Sequence, residues 1–228
     1  MSEKPLVICH MTVSIDGKVT GEFLKNEGAF AAEDVYYRIH REYHADAFAC
    51  GRITMEGSFT HGWYPDLSQY QGRAIGHEDF VAEKHSSFYA VAFDRKGRLG
   101  WKESHIHDED PGYDNAHIIE VLEEADEAYL AYLRDTGISY IFACSPLEAL
   151  SKLKKLFGIN ILLLEGGSIL NGAFEKDDLI DEYSLVMAPV IAGGNDSVLA
   201  HDSTVRNYEL ISVKDEGNSV IYVKYRKK

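Results

Sequence analysis

Apolar residues fall in short runs separated by turn-forming residues, and their spacing changes along the chain. Leu6-Val7-Ile8-Cys9-His10-Met11 is short and apolar, which predicts a strand. Val35, Tyr36, Ile39 and Tyr43 recur at helical spacing and predict a helix over residues 33–42. Further strands are expected over 45–50, 88–93, 118–122 and 140–143, and helices over 126–134 and from Ser145-Pro146 to about Phe157. Ser145 would cap the latter helix, with Pro146 in its first turn. Ile161-Leu162-Leu163-Leu164 reads as a strand buried on both faces. It stops at Glu165-Gly166-Gly167-Ser168, after which Ile169, Leu170, Ala173 and Phe174 take the spacing of an amphipathic helix. Residues 185–191 form a second buried run, closed by Gly193-Gly194. Alternation over 208–214 and 219–226, around Asp215-Glu216-Gly217-Asn218, predicts a C-terminal β-hairpin. Residues 57–87 hold no sustained period and are expected to be mostly surface loop.

Strands alternating with helices and then an antiparallel pair imply an α/β layered fold around one mixed sheet. No linker, repeat or low-complexity segment divides the chain, so residues 1–228 are expected to form a single domain. Lysine and arginine number 23 against 37 acidic residues, a formal charge of −14. That balance argues against nucleic acid or an anionic membrane as the main partner, so an anionic cofactor would have to be held locally. Cys9, Cys50 and Cys144 lack C-x-x-C spacing and read as reduced core residues of an intracellular protein. With no signal peptide and no run near the roughly 18 apolar residues of a membrane span, the cytoplasm is the expected location.

The junction after Leu164 carries the most chemistry. A buried strand that passes through two glycines into a helix brings free N–H groups and the positive end of a helix dipole to one point, which suits phosphate. The same two glycines also suit a plain tight turn. Glu165 beside them is a carboxylate at the end of a buried strand, costly unless paired, and ligands bind at that edge of open α/β sheets. Gly51-Arg52-Ile53-Thr54 offers a guanidinium and a hydroxyl at another strand–helix junction, or a surface arginine and a capping threonine. Asp16 with Lys18, and Asp94-Arg95-Lys96-Gly97, also fit ordinary turns. The acidic and histidine-rich residues 105–110 have no matching cluster at metal spacing, so no metal is assigned. No G-x-S-x-G elbow supports a serine hydrolase.

Taken in order, these segments resemble the pyrimidine reductase domain of riboflavin biosynthesis, with its dihydrofolate-reductase-like fold. Thr12-Val13-Ser14-Ile15-Asp16-Gly17-Lys18 is similar to that family's Ser-Leu-Asp-Gly-Lys loop, and Ala45-Asp46-Ala47 through Gly51-Arg52-Ile53-Thr54 to its second strand and Gly-Arg-x-Thr helix start. Tyr129-Leu130-Ala131-Tyr132-Leu133, Leu164-Glu165-Gly166-Gly167, Asn171-Gly172 and Leu179-Ile180-Asp181-Glu182 keep the family order. The resemblance implies a mostly parallel mixed sheet with a C-terminal hairpin, and an NADPH-dependent reductase that is a homodimer. It assigns the pyrophosphate and adjoining ribose to Thr54 and to Gly166, Gly167, Ser168, Ile169, Leu170 and Asn171. Val13 would line the nicotinamide side, Arg52 and Arg95 would meet the 2′-phosphate, and Glu165 and Asp16 would face the substrate. Hydride would pass to a C=N or C=O carbon, with a carboxyl or a water supplying the proton. The deaminase half of many bacterial relatives, with H-x-E and P-C-x-x-C, is not found in this sequence. Where the biosynthetic enzymes carry an Asn-Pro-x-Leu-Thr-x-Arg segment against the ribose phosphate, this chain reads Trp63-Tyr64-Pro65-Asp66-Leu67-Ser68-Gln69. A nucleotide-binding or sensor homodimer without turnover is the other reading these residues admit, and a metal-dependent hydrolase a third.

Overall fold

In a computed structural model, residues 3–110, 112–194, 196–199 and 205–228 are described. The fold is mixed α/β, with nine strands among the described residues that run mostly parallel and end in an antiparallel hairpin. The chain forms two compact units, Asp46–Asn160 with the first residues of the chain, and Leu6–Ala45 with Ile161–Lys228.

In the first unit, β2 (Ala47–Gly51), β3 (Tyr89–Phe93), β4 (His117–Leu122) and β5 (Ser139–Phe142) are parallel neighbours in the order β5-β4-β3-β2. Parallel neighbours require crossovers. Two are supplied by α2 (Arg52–Met55) with the long loop after it, and by α3 (Glu127–Thr136). A fifth-strand exit leads into α4 (Pro146–Phe157), where Ser145 Oγ accepts from the Glu148 N–H at 3.2 Å and the Glu148 carboxylate accepts from the Cys144 N–H at 2.9 Å. The first bond satisfies one donor of the opening turn and the second ties the chain before the N-cap to the helix, and Gly158 ends the helix in the left-handed conformation. The loop expected over 57–87 contains two short helical turns, Glu56–Thr60 and Leu67–Tyr70, and no strand among the described residues. Cys50 is in the core as expected, but Cys144 is exposed, because β5 has ended before it and α4 has not begun.

In the second unit, β1 (Leu6–Val13) lies between β6 (Ile161–Leu164) and β7 (Glu182–Met187), all parallel. Beyond β7 come β9 (Ile221–Lys227) and β8 (Tyr208–Asp215), both antiparallel to their neighbours. The Asp181 carboxylate accepts from the Val7 N–H at 2.8 Å and fixes the register at the start of β1. α1 (Glu27–Glu42) begins six residues before the periodicity predicts, capped by the Asn26 side chain on the Gly28 N–H. Its early face is Ala29 and Ala32, too small to give a strong apolar signal, packed into a core with Ile39, Val186, Ala188 and Tyr222. The run expected over 185–191 ends as a strand at Met187, and Ile191 is exposed, because Pro189 cannot donate to a ladder. α5 (Ser168–Lys176) follows β6 through the two glycines.

Candidate functional site in the second unit

The junction that the sequence marks is built from β6, a two-glycine turn and α5. Gly166 has φ +117°, a conformation L side chains rarely adopt, and the Gly166–Gly167 peptide is cis. Gly167 is the N-cap of α5 and, being glycine, offers no side chain of its own to cap the first N–H groups of this nine-residue helix.

α5 is rotated from the face the apolar pattern predicts. Its buried positions Ser168, Asn171, Gly172 and Glu175 follow i, i+3, i+4, i+7; of the apolar positions expected inside, Phe174 is fully buried, Leu170 and Ala173 are half-buried and Ile169 is 64% exposed. Polar burial is possible because partners exist. The Glu175 carboxylate accepts from the hydroxyls of Tyr183 at 2.9 Å and Tyr208 at 3.0 Å, and from Arg206 at 3.2 Å. Asn171 donates through Nδ2 to the Val198 carbonyl at 3.2 Å, while its fully buried Oδ1 has no partner among the described residues.

Glu165, the carboxylate expected to face a substrate, is enclosed against α1. Its side chain is 2% exposed, and Oε1 lies 2.7 Å from Nδ1 of His40, itself buried. Beside them, on β1, is His10. Its ring stacks on Tyr36 with centroids 4.3 Å apart, Nε2–H donates to the Tyr36 carbonyl at 3.1 Å, and Nδ1 is hydrogen-bonded to Ser184 Oγ at 2.9 Å. Burial pushes the His10 imidazole below its ordinary value, with Glu165 opposing that shift, so His10 is neutral at physiological pH. Burial, Glu175 and Glu165 together push the Cys9 thiol up, which makes it an inert core group.

Asp16 organises the loop after β1. Oδ1 accepts from the Ser14 hydroxyl at 2.7 Å and the Ala192 N–H at 2.9 Å, and Oδ2 accepts from the Gly193 N–H at 2.9 Å. These bonds, led by Ala192, hold the exposed carboxyl down at about 2, so Asp16 is a carboxylate at physiological pH and carries no proton to donate. Val13 ends β1 opposite Met187 and is buried.

Arg52, Thr54 and Arg95 belong to the first unit. Arg52 and Thr54 are in α2, both half-buried, and the Arg52 guanidinium pairs with the Glu56 carboxylate one turn on. Arg95, at a largely exposed turn, forms a fork with Glu123, Nε to Oε1 at 2.5 Å and Nη2 to Oε2 at 2.6 Å. Its neighbour Asp94 is buried and holds the turn by accepting from the N–H groups of Arg98 and, at 2.7 Å, Leu99. A cavity of about 410 Å³ in the same unit is bordered by Trp63 of the segment that departs from the family, by His105 and His107 of the histidine-rich loop, and by Thr60 and Trp101, and includes none of the residues the resemblance assigns to cofactor or substrate.

His40, His10, Ser184 and Glu175 carry no motif signal. A histidine at a core position of α1 and a glutamate inside an apolar helix are the only traces the sequence offers of them.

Residues 5–222 match the family model described as the RibD C-terminal domain. The chain belongs to that family. It is therefore an oxidoreductase of the riboflavin-biosynthesis pyrimidine reductase family. The 2,5-diamino-6-ribosylamino-4(3H)-pyrimidinone 5′-phosphate reductase of Methanothermobacter thermautotrophicus is 26% identical over 197 residues, 85% of this chain and 82% of that protein. Among solved structures, a pyrimidine reductase-like protein of Corynebacterium diphtheriae superimposes with TM-score 0.68 at 17% identity, covering 98% of this chain and 92% of that one. RibD of Acinetobacter baumannii gives 0.66 at 19% identity over all of this chain, which spans 59% of the Acinetobacter protein. At these identities the structural likeness speaks for the shared fold, the expected mixed α/β fold with a mostly parallel sheet and a C-terminal hairpin.

Proposed function

We propose that this RibD C-terminal domain protein is an NADPH-dependent reductase that transfers hydride to a C=N or C=O carbon of a small pyrimidine-type substrate. The observation that carries the proposal is the start of α5. N–H groups that follow two glycines at the start of α5, and one turn on Asn171 Oδ1, buried and without a partner among the described residues, are donors and an acceptor suited to a pyrophosphate and its ribose. Gly166, Gly167, Ser168, Ile169, Leu170 and Asn171 would take that part of the cofactor, and Val13 the nicotinamide side. The resemblance assigns Thr54, Arg52 and Arg95 to the same molecule, and single replacements test each assignment separately.

When bound, the reduced nicotinamide supplies the hydride. The protein's part is to bind, to orient and to manage charge. Asp16, already ionised and fixed by Ala192 and Gly193, orients the loop at the end of β1. The proton that accompanies hydride transfer comes from water, since Asp16 holds none at neutral pH and Glu165 is closed in against His40.

Residues 63–69 replace the family's ribose-phosphate segment, and this favours keeping a nucleotide-binding protein without turnover as the second reading. One experiment separates the two. NADPH consumption is followed with the 5′-phosphate pyrimidinone named for the Methanothermobacter relative and, side by side, with dihydrofolate. Oxidation with the pyrimidine substrate and none with dihydrofolate is the expected result. NADPH binding with no oxidation by either substrate favours the second reading, and no NADPH binding overturns both.

A further inference from the structure

The last three strands of the sheet divide their side chains by charge. Directly opposed residues share a face, and β7, β9 and β8 align Leu185 with Val223 and Val213, and Tyr183 with Tyr225 and Leu210. One face meets α1, where Val186 and Tyr222 join the core. The acids and bases are on that side too, with Glu182 paired to Lys224 at 2.8 Å and to Arg226 at 3.0 Å. The other face carries Leu185 and Met187 of β7, Ile221 and Val223 of β9, and Leu210 and Val213 of β8, with no acidic or basic side chain between its two ends.

Regular alternation in β8 would not produce this face. Leu210 and Val213 are three positions apart and would point to opposite sides of a regular strand. The register shifts between Leu210 and Ser212, and the extra residue brings both to the side of Tyr225 and Val223. There Leu210 is 55% and Val213 59% exposed, with Ile221 at 41%. A contiguous apolar face left open in this way marks an interaction surface. β8 is the last strand of the sheet, but its bulge and the charges of Glu209 and Lys214 make it a poor edge for another strand to join. The face, not the edge, is what a partner covers.

We propose that this partner is a second copy of the chain, packed sheet to sheet about a two-fold axis near Val223. Charge selects the occupant. The chain carries −14, so nucleic acid or an anionic membrane is repelled, and a basic protein would seek carboxylates that this face lacks. Two copies of the face bring no like charges together in its interior. The hairpin is also polar along its length, with Asp215 and Glu216 at its turn and Arg226, Lys227 and Lys228 at its far end. A two-fold axis lying in the interface and running across the strands sets the acidic end of each copy over the basic end of the other, so the surface is complementary to itself. Sheets packed face to face lie about 10 Å apart with their apolar side chains interdigitated, and the charged ends become the rim.

Sedimentation equilibrium of the full chain at micromolar concentration tests this, on wild type, Leu210→Asp/Val213→Asp, and Lys214→Ala on the opposite face of the same strand. Wild type and Lys214→Ala are expected to be dimers. The double replacement is expected to raise the dimer dissociation constant by about a hundredfold or more, since it sets two charges in a desolvated centre. Both positions are more than half exposed in the single chain, so the variant keeps its fold, and circular dichroism checks that. Should it unfold, wild type alone decides: NMR with a soluble paramagnetic agent should find the methyl groups of Leu210, Val213 and Val223 shielded in concentrated samples and exposed on dilution. A wild type that stays monomeric at micromolar concentration overturns the proposal. So does a dimer indifferent to both aspartates, or methyl groups that relax equally at every concentration. Wild-type monomers that sediment with phosphatidylcholine vesicles, and lose this in the double variant, would assign the face to a lipid surface and equally overturn it.

Discussion

Asp16 commits both carboxylate oxygens to the main chain of residues 192 and 193 and to the Ser14 hydroxyl. Its folded value is depressed to about 2 from 3.8, so its contribution to stability is present above 3.8 and is lost as pH falls through 2. Asp16→Asn removes the charge and one of the acceptors. The amides of Ala192 and Gly193 are then expected to exchange with deuterium faster than in wild type at pH 7, with the exchange of β1 amides unchanged. The Asp-Gly pair marks a turn in the sequence, but the partners that make its carboxylate an anchor are some 176 residues away. No local pattern could name them. The same holds for Glu165, whose buried charge signals a need for a partner without pointing to His40, 125 positions earlier.

Elements were legible where apolar periodicity and turn chemistry agree, as in α4 with its Ser145 cap and Gly158 stop. They are less legible where packing chooses a face that hydropathy does not favour. α5 buries Phe174 as its pattern predicts, but beside it buries small and polar residues, because tyrosines and an arginine await Glu175, and Ile169 is left exposed. At the turn between β3 and β4, Gly97 combines φ +62° with a position where an added Cβ would lie 2.6 Å from the ring of Tyr129, which is buried and cannot give way. Gly97→Ala is expected to cost about 1 kcal/mol or more, from the strained backbone and the clash together. Urea unfolding measures it, and a cost within error of zero would show that the turn relaxes freely.

For the molecule as a whole, a net charge of −14 sits on a chain that also buries carboxyl groups. Glu120, central in β4 and fully buried, accepts from Trp101 Nε1–H, and burial together with the nearby Asp94 pushes its carboxyl well above 4.5. A raised folded value means that its stabilising share is complete below 4.5 and is lost as pH rises through the folded value. Glu120→Gln keeps an acceptor for Trp101 and has no proton to lose. Its melting temperature should therefore match wild type near pH 4 and exceed it at pH 9, and parallel curves across that range would refute the assignment. Burial of His117 acts from the other side, lowering the imidazole to about 4, so its share is complete above 6.5 and is lost as pH falls through 4. The sequence by itself determined the alternation of strands and helices, the C-terminal hairpin, the two-glycine junction and the ordered motifs of a pyrimidine reductase. These are local or serial properties, set by side-chain period, turn residues and order along the chain. Tertiary structure alone decided which face of α5 is inside, that Asp16 is an anchor, and that Glu165 answers to His40. Those choices depend on which distant group supplies a donor in a space closed to water, and that is a property of the packed chain.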